Sequence, residues 1–207
     1  MEAETKKSME QNILKAAEEV FLEKGFAQAS TTDIAKRAGC NQALIHYYFR
    51  TKEKLFDVVF ENKIVVFLEH LLEINSEIVD FQQKVKQITE SHFDLIMNNP
   101  KFPWLLVNEL LNHPKRLAVL GGILGGKARR MMQTMQKKID EEVEKGTIRP
   151  IRSIDLFITV VSLNIGVFLV QPVMKNIAQF SDEEIKKIIE SRKHENVMMV
   201  QNMLKPH

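Results

Sequence analysis

Apolar residues recur three and four positions apart along almost the whole chain, and this spacing restricts the fold most strongly. The first predicted helix, residues 7–24, carries the pattern on one face, at Ile13, Leu14, Ala17, Val20 and Phe21. Short glycine and proline signals separate such segments, and the period-two alternation of β-strands is missing. We therefore predict an all-α protein of nine helices.

Local signals place the helix ends. Gly25 ends the first helix, Ser30–Asp33 forms a capping box for a second that ends at Gly39, and Thr51 caps a fourth. The remaining predicted helices cover residues 41–48, 51–74, 77–97, 102–111, 115–145, 153–175 and 181–203. We expect a small N-terminal domain, residues 1–50, joined rigidly by the fourth helix to a larger domain, residues 51–207.

The charge distribution and the cysteine content restrict the expected function and cellular location of the protein. Between Gly25 and Leu55 five basic residues stand against two acidic ones, a local surplus larger than the net charge of +2 for the whole chain. The single cysteine excludes an intramolecular disulfide and fits a reducing cytosol. The N-terminal segment has no apolar run of the secretory kind, so we expect a cytoplasmic protein.

The nineteen residues 156–174 carry no charge and are long enough to cross a bilayer. Asn164, Gly166, Gln171 and Pro172 interrupt the stretch, and no second segment resembles it. A buried or subunit-contacting helix is the better interpretation, and we expect no membrane partner.

Two short helices joined at Gly39 form a helix-turn-helix. The residues that face inward are Ile34, Ala35, Cys40, Ile45 and Phe49, and those that face outward on its second helix are Gln42, Ala43, Leu44, His46 and Tyr47. Such an outward face, flanked by basic residues, suits the major groove of DNA. From the residues alone, a structural three-helix bundle with a surface aromatic remains an alternative.

The segment GFAQASTTDIAKRAGCNQALIHYYFRTKEKLF resembles the DNA-binding segment of the TetR family of bacterial transcriptional regulators. The matching positions are Ile34, Ala35, Ala38, Gly39, Ile45, Phe49, Lys52 and Glu53. This resemblance implies a homodimeric repressor that a small, mostly apolar ligand releases from palindromic double-stranded operator DNA. Activation in place of repression stays open.

The resemblance also implies roles for individual residues. Thr31 and Thr32 would meet phosphates, and Gln42, Ala43 and Leu44 would lie over base edges. Tyr47 would contact a base or the backbone, while Tyr48 and Lys52 would anchor phosphates. His46 stands where the family usually has tyrosine, which leaves open whether it makes a pH-dependent contact. Partial burial beside Phe49 is the alternative for Tyr48.

The larger half lacks the sequence signatures of common enzymes, and we predict neither catalysis nor a cofactor nor a metal site. The glycine-rich segment 121–126 has no preceding strand, so we interpret it as an irregular or kinked helix start. With the resemblance, we expect a ligand cavity lined by Phe60, Phe67, Phe93, Trp104, Asn108, Glu109, Met131, Met135, Phe157, Asn164 and Phe168. Simple core packing is the alternative for these apolar residues.

The last two predicted helices are candidates for a dimer interface. Ser162 and Gly166 lie one turn apart and would let a partner helix approach closely. We expect the same interface to include Ile185, Ile188, Ile189 and Val197. A different function, a helical small-molecule carrier or scaffold with a vestigial helix-turn-helix, remains the alternative to a DNA-binding regulator.

Overall fold

The computed structural model describes residues 2–72 and 80–206, without the side chains of 2–7, 67–72, 110, 116, 117, 120 and 123. Its helices are α1 Glu2–Gln28, α2 Thr31–Ala38, α3 Gln42–Phe49, α4 Lys52–Leu72, α5 Phe81–Met97, α6 Phe102–Asn112, α7 Pro114–Glu144, α8 Ser153–Leu169, α9 Gln171–Asn176 and α10 Asp182–Leu204. No strand occurs among these residues. The predicted all-α, nine-helix architecture is confirmed, with the eighth predicted helix continued by the short α9.

Helix ends lie where the local signals predict them. Gly25 breaks the helical backbone of α1 with φ 71° and ψ 170°. Ser30 Oγ accepts the backbone N–H of Asp33 at 3.1 Å, and Gly39 ends α2 in the left-handed conformation at φ 67°. Thr51 Oγ1 caps α4 by accepting a backbone N–H at 3.2 Å. The first fifty residues therefore form the predicted succession of three helices, of which α2 and α3 are short.

The long apolar helix is divided at Val170 because Pro172 has no N–H to donate to the carbonyl of Phe168. The indole Nε1–H of Trp104 donates to that same carbonyl at 3.3 Å. A side chain thus replaces the missing backbone hydrogen bond at the junction of α8 and α9.

The glycine-rich segment 121–126 is not an irregular helix start, as the sequence predicted, but lies inside the continuous helix α7. A helical glycine costs only about 1 kcal/mol relative to alanine, so good helix formers on both sides can carry four of them. A Cβ at Gly121, Gly122 or Gly125 would meet nothing within 4 Å. Close packing therefore does not explain these glycines.

The chain forms two compact units. The first contains Met1–Val66 together with Leu105–Arg116, and the second contains Phe67–Trp104 with Leu117–His207. The sequence predicted a single domain boundary after residue 50. The compact first unit extends past that residue to include the first part of α4, and it also includes the α6–α7 junction.

An aromatic cluster forms part of the core of the first unit. Phe21 and Phe56 are fully buried, and their rings meet edge to face with centroids 4.8 Å apart. Phe60 stacks on Phe56 at 5.5 Å, and Phe26 packs on Phe56 at 5.0 Å. Aromatic pairs of this kind add about 0.5–1.5 kcal/mol each beyond the area that they bury. They fix α1 on α4, the two helices that flank α2 and α3 in the chain.

The second unit is built on α5, α8 and α10, which pack on one another. Its apolar core consists of Phe81, Val85, Ile139, Ile148, Leu156, Val160, Val200 and Leu204. Residues Ser153–Asn176 are long and apolar enough to cross a membrane, with a mean hydropathy of 2.1 over an 18-residue window. The packing of α8 on α5 and α10 favours the alternative expected from the sequence, a packed helix.

Candidate functional sites

The outward face of α3 is the first candidate site. Gln42, Ala43, His46 and Tyr47 are exposed and Leu44 is half-buried, whereas Ile45 and Phe49 are buried. Ile34 and Ala35 on α2 are buried as predicted, but Cys40 is only half-buried, and its partial burial raises the pKa of its thiol. The predicted outward face is therefore present, and four of its five side chains are exposed.

Gln42 is held by the neighbouring helix. Its Nε2 donates to Thr31 Oγ1 at 2.6 Å, which leaves the carbonyl oxygen and one N–H of the amide available. The hydroxyl of Thr31 keeps its own hydrogen as a donor. One hydrogen bond thus orients together the amide that the sequence predicts to read bases and the hydroxyl that it predicts to bind a phosphate.

Tyr47 and Tyr48 differ in exposure. Tyr47 is 55% exposed, and its ring meets that of Tyr48 edge to face at 5.2 Å. Tyr48 is half-buried, with its ring 6.3 Å from that of Phe49. The partial burial of Tyr48 beside Phe49 is therefore observed, whereas its contact with a phosphate stays a prediction.

His46 and Arg50 close the end of α3. A carbonyl only accepts, so the 3.0 Å contact between His46 Nδ1 and the Arg50 carbonyl is a bond donated by Nδ1–H. The neutral ring then presents Nε2 as an acceptor. Arg50 has φ 66° and ψ −54°, and the N–H of Thr51 donates to the carbonyl of Phe49 at 2.7 Å. Arg50 is thus the centre of the rarer, positive-φ form of the γ-turn, which is strained for any residue but glycine.

Lys52 was expected to anchor a phosphate, but the structure gives its ammonium group another role. The Nζ donates to the carbonyls of Phe26 and Ala29, each at 3.0 Å, and lies 4.5 Å above the ring of Phe26. These carbonyls belong to the end of α1, where unsatisfied acceptors carry partial negative charge. Lys52 therefore caps α1, and at most one of its three N–H groups remains for another ligand.

The other cations near α3 either pair with a carboxylate or have no carboxylate partner. Arg37 pairs with Glu23 at 2.8 Å, which raises the pKa of its guanidinium, and Lys24 pairs with Asp33 at 2.9 Å. The exposed residues Lys36, Arg50 and Lys54 have no carboxylate partner in the part of the chain that the structure describes. These three residues belong to the local surplus of bases between Gly25 and Leu55, and the resemblance implied no role for them.

The second candidate site is an open groove of about 680 Å³ in the second unit, between α5, α7 and α8. Met131, Met135 and Phe157, three of the expected ligand residues, line it together with the neighbouring Met132. Phe81, Val85, Leu156 and Val160 form its buried apolar lining, with Ser153 as the buried polar residue. The volume falls in the range of about 300–1,000 Å³ that is usual for small-molecule sites.

The other expected ligand residues do not line this groove. Phe60 belongs to the core of the first unit, and Phe93 and Phe168 pack on each other at 5.5 Å in the second. Trp104 is 48% exposed at the α8–α9 junction, and Asn108 is also exposed. The side chain of Phe67 lies outside the described residues.

Glu109 is buried, with the imidazole Nε2 of His113 at 3.6 Å from its carboxylate. A buried carboxylate needs a partner or a cationic ligand. The structure supplies a partner within the first unit, where the His113 ring also lies 6.3 Å from that of Phe26.

Asn164 joins three helices in place of binding in the groove. It is fully buried, and its Nδ2 donates to the Thr89 carbonyl at 2.8 Å and to His92 Nδ1 at 3.0 Å. Its Oδ1 accepts from Asn196 Nδ2 at 2.9 Å. Burial lowers the pKa of His92 to about 4, so the imidazole is neutral at pH 7 and contributes Nδ1 as an acceptor. The polar residue in the apolar run is thus a structural tie between α5, α8 and α10.

The expected dimer surface is only partly available. Ile185 and Val197 are buried inside the protomer, since their side chains point into the packing of α10, and cannot contact a second copy as predicted. Ile188, Ile189 and Gly166 are half-buried, and Ser162 is exposed. An exposed row on α8, Ile154, Ile158 and Ser162 at intervals of four residues, continues the surface that the sequence indicated.

Known proteins share the helix-turn-helix segment of this chain. Residues 13–59 match the family described as "Bacterial regulatory proteins, tetR family". The transcriptional repressor NicS of Pseudomonas putida is 31% identical over 133 residues, which cover 61% of this chain and 63% of NicS. The fatty acid metabolism regulator protein of Bacillus subtilis is 33% identical over 84 residues, which cover 41% of this chain and 43% of that protein.

The chain thus spans less than two thirds of the length of these curated relatives. At the level of fold the likeness is broader: SCO4942 of Streptomyces coelicolor superposes with a TM-score of 0.69 at 21% identity, over 96% of this chain and 99% of SCO4942. The matched helix-turn-helix and its outward-facing α3 agree with this family, and residues 13–59 are a DNA-binding segment of the tetR family of bacterial regulatory proteins.

Proposed function

We propose that this protein is a cytoplasmic DNA-binding transcriptional regulator, a repressor that a small, mostly apolar ligand releases from its operator. The observation that carries the proposal is the exposed face of α3, in which Gln42 is pre-oriented by Thr31 beside exposed Tyr47. Relatives named as a transcriptional repressor and a metabolism regulator support the same class of function.

Base reading falls to α3. The carbonyl oxygen of Gln42 can accept from the N6 amino group of an adenine, and its second amide N–H can donate to N7 of the same base in the major groove. Ala43 and Leu44 offer apolar contact to a thymine methyl group, and the Nε2 acceptor of neutral His46 suits an exocyclic amino group. Sequence preference would come from these four side chains.

Phosphate binding falls to the rim of the helix-turn-helix. Thr31 and Thr32 begin α2, where backbone N–H groups and the helix dipole favour an anion. Lys36, Arg50 and Lys54 supply positive charge that no described carboxylate neutralises. We assign the phosphate contacts to these three residues and to the edge of Tyr48, and we leave Lys52 mainly as the cap of α1.

A palindromic operator needs two copies of the chain, because a lone helix-turn-helix reads too few base pairs. We propose a two-fold homodimer through α8 and α10, with Ile154, Ile158 and Ser162 facing the partner copy. Met198 and Met199 on α10, 41% and 42% exposed, would extend the same interface.

The ligand would bind in the groove between α5, α7 and α8, against Met131, Met135 and Phe157. Helix α7 runs without a break from Pro114, which belongs to the first unit, to the residues that line the groove. A ligand that displaces α7 would therefore also displace the α6–α7 junction. A preference of about 1–3 kcal/mol for the DNA-incompetent state is enough for control, and DNA must then weaken ligand binding by the same factor.

Fluorescence anisotropy with duplexes from the region that flanks the gene tests the proposal. We expect tighter binding to one such duplex than to a scrambled duplex of the same composition. The logarithm of the binding constant should fall with the logarithm of salt concentration by about 0.9 per phosphate neutralised. Equal affinity for all duplexes, or none at all, would favour a carrier or scaffold instead.

A further inference from the structure

The groove of the second unit carries more positive than negative charge, although its floor is apolar. Five basic residues and two acidic ones line it: Lys84, Lys127, Arg130, Lys138, Lys145, Glu141 and Glu142. A site for a purely apolar molecule needs no such surplus. The distribution of these charges along α7 indicates what the surplus is for.

At the C-terminal end of the groove the charges neutralise one another. Lys138 Nζ lies 2.9 Å from the Glu141 carboxylate, and Lys145 Nζ lies 2.7 Å from that of Glu142. The pKa of Glu142 is lowered by its hydrogen bond from Lys145. Four of the seven charged residues of the lining are thereby satisfied.

At the other end the lining is positive only. Arg130 lies there, next to Met131 in the sequence and five residues before Met135, and neither carboxylate of the lining is near. Glu141 follows Arg130 by eleven residues, which is about 16 Å along a helix. Arg130 is exposed and has no carboxylate partner among the residues that the structure describes.

One end of the groove is therefore positively charged, and the apolar lining extends from that end. We infer that the groove binds an amphipathic organic anion, with its headgroup at Arg130 and its tail along Met131, Met135 and Phe157. The headgroup would be a carboxylate or a phosphate, because the arginine guanidinium binds both through paired N–H donors. This inference rests on the proposed function, in that it names the chemical class of the effector.

A set of ligands with one tail and three headgroups tests the inference. Laurate, 1-dodecanol and dodecyltrimethylammonium are titrated below their aggregation concentrations into the full-length protein without DNA, by isothermal calorimetry. We expect laurate to bind at least tenfold more tightly than the alcohol and the cation to bind most weakly. Dodecyl phosphate, added as a fourth ligand, shows whether the site prefers a carboxylate or a phosphate.

Arg130→Gln should weaken laurate binding about tenfold and leave dodecanol binding unchanged. Arg129→Gln is the matched control, because Arg129 is the adjacent exposed arginine and does not line the groove. Equal binding of laurate and dodecanol, or equal effects of the two substitutions, would overturn the inference.

The DNA assay is then repeated with laurate present. Charge-selective binding that leaves operator affinity unchanged would support the ligand class and contradict the proposed switch. If the protein binds an operator and dodecanol releases it from that operator as readily as laurate does, the result would support the regulator and contradict the ligand class. Failure of one proposal is thus distinguishable from failure of the other.

Discussion

Gln42 Nε2 lies 2.6 Å from Thr31 Oγ1, so the first residue of α3 is hydrogen-bonded to the first residue of α2. The two helices of a helix-turn-helix contact different parts of DNA, bases in one case and phosphates in the other. This hydrogen bond joins the two kinds of contact, so the two residues should not act independently.

Gln42→Ala should weaken binding to the operator by about 1–3 kcal/mol and leave binding to random DNA unchanged, because only the operator offers the matching base. Thr31→Val keeps the shape of the side chain but removes the hydrogen-bond acceptor. In a double-mutant cycle measured by anisotropy we expect a coupling energy of about 0.5–2 kcal/mol. Strictly additive effects, or equal losses on both DNAs, would contradict this account.

Lys52→Met and Lys54→Met separate helix capping from phosphate binding. Lys52→Met removes two charge-assisted hydrogen bonds at the end of α1, and we expect the free energy of unfolding to fall by about 1–2 kcal/mol. Lys54→Met should change stability by less than about 0.5 kcal/mol and weaken all DNAs alike. Urea unfolding and salt titrations measure the two effects. A stable Lys52→Met protein with weak DNA binding would restore the role that the sequence suggested.

Stability should fall between pH 6.5 and pH 4 because of His92. Its pKa in the folded protein is about 4, below the value of roughly 6.5 for an unfolded chain. As the pH falls, the unfolded state binds the proton first, so the stabilisation that is fully present above pH 6.5 is lost toward pH 4. The whole interval corresponds to about 3 kcal/mol.

The control for this prediction is His92→Gln, which cannot take up the proton. The wild type should be more stable than this variant at pH 7, and the difference should shrink as the pH falls. Chemical unfolding at half-unit steps of pH gives both curves. Parallel curves would show that His92 is not the group responsible.

Glycine-to-alanine substitutions should have opposite signs at Gly121 and Gly25. A Cβ would meet nothing within 4 Å at either position, so the backbone alone decides. Gly121 is helical, and alanine should stabilise the protein by about 0.5–1 kcal/mol. Gly25 has φ 71°, where alanine should destabilise by about 1–2 kcal/mol. Thermal unfolding of the two variants provides the comparison, and equal signs would contradict it.

Ile158→Glu should convert a dimer to monomers, because Ile158 is 53% exposed on the face of α8 assigned to the partner copy. Leu111→Glu is the control: Leu111 is 78% exposed, but it lies on α6 in the first unit. Sedimentation at micromolar concentration should show a wild-type dimer, a Leu111→Glu dimer and an Ile158→Glu monomer. A monomeric wild type would remove the dimer from the proposed function.

The helical fold and the outward face of α3 could be predicted because they depend on local signals. Ser30, Gly39 and Thr51 set helix ends through their own side chains or backbone, and the face that contains Gln42 and Tyr47 follows from helical spacing. These features need no knowledge of distant residues.

The misjudged residues are those whose partners are distant in sequence. Lys52 bonds to carbonyls more than twenty positions earlier, and Asn164 bonds to residues on α5 and α10. The burial of Ile185 and Val197 depends likewise on which side of α10 meets α5 and α8. Periodicity identifies an apolar face, but it does not distinguish a face covered by the same chain from one covered by a second copy.

The γ-turn at Arg50 sets two selective pressures against each other. Glycine would occupy φ 66° without strain, so a search for heat-resistant variants would be drawn to Arg50→Gly. The same exchange would remove a cation from the rim of the proposed DNA-binding surface. Laboratory evolution that selects only for heat resistance should therefore yield more stable proteins with lower affinity for DNA. Selection for operator binding should retain the strained arginine.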